Sequence, residues 1–183
     1  SGSGMELAGL AMAETPTVTM GKDSDHRNSL PHPCPPNPLM TSAEVLLEHL
    51  QNKQSLVINP RRRNGVILVK PYHAEFAGPG AFVGGDLDQD VTLCYPVGNL
   101  DWLTPPSSAE QIKAHLIRRQ WTVLIKQIVD NPIAMERAQV ILNQLENWFD
   151  DATVALLPDS AVATLVGVLP STVRSARTNT TVF

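Results

Sequence analysis

Apolar positions along this chain change their spacing about half-way. In the first half they come in short β-branched runs, Ser-Leu-Val-Ile-Asn at 55–59, Val-Ile-Leu-Val-Lys-Pro-Tyr at 66–72 and Val-Thr-Leu-Cys-Tyr-Pro-Val at 91–97. Such runs predict strands. The Asn64-Gly65 pair between the first two is a turn signal that predicts a β-hairpin, with Pro60, Arg61, Arg62 and Arg63 at its tip. Residues 75–90 are rich in glycine and read as a loop. These pieces predict one small three-stranded sheet with its apolar face covered by helices.

Helical spacing brackets these runs. Thr41 and Glu44 form a capping-box pattern ahead of Val45, Leu46 and Leu50, which predicts a short helix to about residue 51. Ser107 and Glu110 repeat the pattern ahead of a long helix. Its apolar stripe is expected to comprise Ile112, Leu116, Ile117, Trp121, Leu124, Ile128 and Val129, with Lys113, Arg118, Arg119 and Lys126 mainly off it. Asn131-Pro132 is expected to stop this helix and cap the next. Ile133, Ala134, Ala138, Ile141, Leu142, Leu145, Trp148 and Phe149 supply that helix's stripe, and the two should form an antiparallel hairpin. Asp150-Asp151 favour the start of a further turn over 152–157. The expected class is α+β, a small antiparallel sheet with helices followed by a helical C-terminal half.

The stretch 158–177, Pro-Asp-Ser-Ala-Val-Ala-Thr-Leu-Val-Gly-Val-Leu-Pro-Ser-Thr-Val-Arg-Ser-Ala-Arg, reads as two short helices around Gly167. Ala163 and Val166 would face inward from the first, Val173 and Ala176 from the second. Gly167 supplies a left-handed helix end, and Pro170 fits the first turn of the second helix. At these residues the chain resembles the helix-turn-helix of bacterial transcription regulators, over residues 159–177. Leu169 stands where that family usually has a serine or threonine cap. The resemblance implies a second helix in the major groove of double-stranded DNA, with Ser171, Thr172, Arg174, Ser175 and Arg177 as contact residues. Arg61, Arg62 and Arg63 are further candidates for phosphate contact, with a solvated turn as the plainer reading.

Net charge of −4 over 183 residues excludes a globally basic nucleic-acid binder, so any such contact must be local. The two cysteines, Cys34 and Cys94, with no secretory apolar region ahead of them, give the expectation of a cytoplasmic setting. No run is long and apolar enough for a membrane span. Residues 1–40 are rich in Pro, Ser, Thr and Asn and read as a disordered arm, opened by a Ser-Gly-Ser-Gly scar before Met5. His26, His32 and Cys34 match no zinc spacing. Asp86, Asp88 and Asp90 alternate like a calcium loop without its glycine and closing glutamate. The glycines at 78–85 lack the order of a nucleotide loop, and His73 with Glu75 lacks a nucleophile.

The chain therefore divides into the arm (1–40), a small mixed region (41–104), a helical hairpin expected to carry a dimer seam (105–150) and the terminal module with its tail (151–183). The expected function is that of a sequence-specific DNA-binding transcription regulator acting as a homodimer, without enzymatic activity, cofactor or metal. The alternative is an adaptor whose terminal helices dock on a protein partner such as a regulator or polymerase.

Overall fold

A computed structural model describes residues 40–179. The expectations for the arm at 1–39, including His26, His32 and Cys34, and for the last four residues lie outside them. Helix α1, Ser42–Gln51, begins as expected: Thr41 Oγ1 accepts from the Glu44 N–H while the Glu44 carboxylate accepts from the Thr41 N–H. It buries Ala43, Leu46 and Leu50.

Six strands follow, β1 (Ser55–Ile58), β2 (Asn64–Val69), β3 (Ala74–Ala77), β4 (Phe82–Gly84), β5 (Leu93–Gly98) and β6 (Trp102–Leu103). They make two antiparallel three-stranded sheets, ordered β4-β1-β6 and β3-β2-β5. The hairpin expected across Asn64-Gly65 does not form: β1 and β2 lie in different sheets, and these two residues open β2, opposite Gly98 and Val97. The Asn-Gly pair serves another purpose. Asn64 is buried, its amide donates to the Asn59 and Arg62 carbonyls, and its Oδ1 accepts from the Asp101 N–H, so it satisfies the backbone of two connections at once. Gly65 leaves room for the Phe76 ring and the Ala77 carbonyl, which a Cβ would meet at 3.0 and 2.9 Å.

The glycine-rich segment also differs from expectation, since it contributes β3 and β4 rather than a plain loop. Strand β2 is buried on both faces, which explains its unbroken apolar run. Ile67 points to the helical half, among Phe76, Val97, Ile141 and Leu145, whereas Val66 and Leu68 point to a second core beneath α1. Pro96 is tolerated because β5 is an edge strand.

Among the described residues five further helices follow: α2 (Ser108–Val129), α3 (Ala134–Trp148), α4 (Asp151–Ala155), α5 (Asp159–Val166) and α6 (Pro170–Asn179). The structure is thus α+β with a helical C-terminal half. Trp121 of α2 meets Trp148 at the far end of α3, ring centroids 5.0 Å apart, while a short connection joins their other ends. The pair is therefore antiparallel. Two details of it are corrected. The cap of α3 is Ile133 rather than Asn131, whose Oδ1 instead accepts from the Ile133 N–H in a tight turn. The buried face of α2 is Ala114, Arg118, Ile125 and Ile128, and Ile112, Leu116, Leu124 and Val129 face solvent. The helix is rotated from the expected stripe because two carboxylates beneath it, Asp88 and Glu75, draw Arg118 inward.

Candidate nucleic-acid interface

Helices α5 and α6 are joined through Gly167 in the left-handed conformation, φ 68°. The Val168 N–H returns to the Ala163 carbonyl and closes the end of α5. Ala163, Val166, Val173 and Ala176 are all buried, and they pack with Ala138, Ile141 and Leu145 in the core shared with α3. The Leu169 carbonyl accepts from the Thr172 and Val173 N–H groups, so α6 starts at Pro170 without a side-chain cap of the Ser/Thr kind.

Two arginines bolt this pair of helices in place. Arg137, on α3, donates through Nε to the Val166 carbonyl, through Nη2 to the Gly167 carbonyl and through Nη1 to the Asn131 carbonyl. It thereby supplies donors to the end of α5, where carbonyls lack helical partners. Sequence reasoning passed over it because its partners are backbone atoms of a distant turn. Arg177 does the same at the other end. Its Nε reaches Asp159 Oδ1 at 2.9 Å, Nη1 the Val154 carbonyl and Nη2 the Leu157 carbonyl. It fastens α6 to the last turn of α4 and the first of α5, and its guanidinium is committed inside the protein.

The remaining expected contact residues lie along the outer face of α6. Ser171, Arg174 and Ser175 are exposed and Thr172 is half-buried, with Thr178 continuing the row. Arg174 keeps 73 % of its side chain in solvent and lies 3.5 Å from Asp159 Oδ2. Asp159 thus faces both arginines, and the local balance of these three residues is a single positive charge. Within α6 no apolar side chain interrupts the row, while Leu169, just ahead of the helix, is 69 % exposed. The arginines at 61–63 do not join it: the Arg61 N–H is held by Asn59 Oδ1, its side chain borders the groove that also receives Lys113, and Arg63 Nη1 donates to the Phe149 carbonyl at the end of α3. Arg62 is exposed on the same connection.

A second polar cluster lies away from α6. Arg118 Nη1 and Nη2 each reach Asp88 at 2.9 Å, and Lys70 Nζ lies 3.0 Å from Glu75, 3.4 Å from Asp88 and 3.4 Å from Asp90. Asp88 also accepts from the Gly84 N–H, and Lys70 donates to the Leu87 carbonyl. Burial pushes the Asp88 carboxyl up, but the Arg118 hydrogen bonds and charge outweigh it and hold the group below its ordinary value. His73 stands 3.7 Å from Glu75, whose oxygen is already taken by Lys70 and Arg118. These ion pairs tie the 84–91 loop to Lys70 and Arg118, while the buried Arg118 Nε has no hydrogen-bond partner among the described residues.

Among the described residues no helix is long and apolar enough to cross a membrane. Compared with known protein families, with curated proteins and with solved structures, the chain matches none.

Proposed function

We propose that this protein is a non-enzymatic, sequence-specific regulator that binds double-stranded DNA through α6. One observation carries the reading: the outward row Ser171, Thr172, Arg174, Ser175 and Thr178 is wholly polar, although α6 is packed rigidly onto α3 and α5 by Val173 and Ala176. Short hydroxyl side chains with one arginine suit hydrogen bonding to base edges and phosphates. An adaptor helix would present aromatic or leucine anchors there, as protein interfaces do.

The electrostatics define how it would have to act. One exposed arginine beside Asp159 gives too little charge for tight binding by a single module, so occupancy of a two-fold site by two copies is part of the proposal. A cytoplasmic setting accords with Cys94 as a buried free thiol. Selecting bound sequences from a random duplex pool tests it: enrichment of a two-fold site that Arg174→Ala no longer retains is expected. A pool that stays random after repeated rounds at low salt overturns the reading.

A further inference from the structure

Helix α2 turns a second face to solvent, opposite the one it buries. Ile112, Leu116 and Val123 project within roughly 40° of one another on a helix of 100° per residue, with Leu124 along one side. They are 63 %, 58 %, 46 % and, for Leu124, 40 % exposed. Leu116, Arg119, Gln120, Val123 and Leu124 line a shallow groove of about 560 Å³ there. The charge on this face has one sign. Between Glu110 and Asp130 the helix carries Lys113, Arg118, Arg119 and Lys126 and no acid. Arg118 is the inward one; the other three are exposed on either flank of the apolar row, and none is ion-paired among the described residues.

We infer that this face is a docking site for an acidic amphipathic helix of a partner protein. An apolar row of three turns flanked by cations is the complement of leucines flanked by glutamates, the helix-in-groove mode of recognition. A second copy fits poorly. Arg119 lies at the middle of the row, so a two-fold pairing of this face would set it near its own mate, and Lys113 and Lys126 would find no acid opposite. A bilayer fits poorly too, because the exposed row has no aromatic residue and Trp121 is turned into the core. The site is separate from α6, so its test stands apart from that of DNA binding.

The probe is a synthetic helix of about 16 residues, roughly one turn longer than the row at 1.5 Å per residue, with leucines at helical spacing flanked by glutamates. Anisotropy with the full chain should show saturable binding that a scrambled peptide lacks. The double change Arg119→Glu with Lys126→Glu should weaken it at least tenfold, and a lysine-flanked peptide should recover binding to that variant. Thermal melts of the variant should match the parent, since both side chains are exposed. Equal binding of the scrambled peptide, or none of the acidic one, overturns the inference. So does sedimentation with phosphatidylserine vesicles without peptide binding, or a dimer in light scattering that Leu116→Asp dissolves.

Discussion

Arg118 and Asp88 form a bidentate pair at 2.9 Å, with the Arg118 side chain 4 % exposed and that of Asp88 wholly enclosed. The pair joins α2 to the loop at 84–91, and Arg118 also donates to the Phe82 carbonyl. Such a buried pair adds little stability over an apolar equivalent, but losing one partner strands a charge. Asp88→Asn should therefore lower stability by about 3–5 kcal/mol. Arg118→Met combined with Asp88→Leu should cost less than the two single changes added together. Denaturant midpoints of the three variants check both statements.

The same cluster sets the pH range of stability. For Asp88, the folded carboxyl titrates below the ordinary value of 3.8 despite burial, so its contribution is present above that value and is lost as pH falls through the folded pKa. For Lys70, burial lowers the value, but the hydrogen bond and charge of Glu75 with Asp88 and Asp90 raise it above the ordinary 10.5. Its contribution is present below 10.5 and is lost as pH rises through the folded pKa. Urea midpoints should stay flat between the two limits, with the acid limb flattened in Asp88→Asn and the alkaline limb in Lys70→Met.

The residues that made this cluster also show where sequence reading stopped. Spacing located every helix and the strands β1, β2 and β5, because capping residues and β-branched runs are local signals. Two things were not local. The Asn64-Gly65 pair carries a strong turn preference, yet the Asn64 side chain is used by Asn59, Arg62 and Asp101, the last of them far outside the expected hairpin. Arg118 was placed on the wet face of α2 by its charge, and only the Asp88 and Glu75 carboxylates, distant in sequence, make burial favourable. At α6 the apolar spacing correctly identified the inner face, but Arg177 carried the same charge as Arg174 and nothing in the spacing said that Asp159, Val154 and Leu157 would occupy it.

Two glycines with positive φ should respond very differently to alanine. At Gly84, φ 102°, a Cβ would fall 1.7 Å from the Gln54 carbonyl oxygen, against the connection that follows α1. Gly84→Ala should prevent folding or lower the thermal midpoint by more than ten degrees, on the order of 3–5 kcal/mol for a chain of this size. At Gly167, φ 68°, nothing lies within 4 Å, so alanine meets only the backbone penalty of about 1 kcal/mol. Calorimetric melts of both variants should separate the two.

Cys94 offers a probe of opening. Burial, with the Asp88 charge adding to it, pushes its thiol up to about 12, so the reactive thiolate is scarce at neutral pH. Iodoacetamide at pH 8 should leave Cys94 unmodified in the folded protein and alkylate it in urea. Asp88→Asn should speed the native reaction chiefly by making local opening easier. Peptide mapping keeps Cys94 distinct from Cys34.

The two arginines of α6 should separate folding from recognition. Arg177 gives its guanidinium to Asp159 and to the Val154 and Leu157 carbonyls, so Arg177→Ala should loosen α6 from α4 and α5 and lower the melting temperature. Arg174 is mostly solvated and only brushes Asp159, so Arg174→Ala should leave the melt unchanged. On the selected duplex, Arg174→Ala should cost about 1–3 kcal/mol of specific affinity, a tenfold to hundredfold loss. Val173→Asp, which buries a charge, should unfold the module and abolish binding together with the melt. Titrations at two salt concentrations complete the comparison: if Arg174 meets a phosphate, its removal shallows the salt dependence by about one unit of slope, whereas loss of a base contact leaves the slope and relaxes the sequence preference. An unchanged affinity in Arg174→Ala, with Arg177→Ala weakening DNA binding only as far as it unfolds the protein, would mean that this helix reads no DNA.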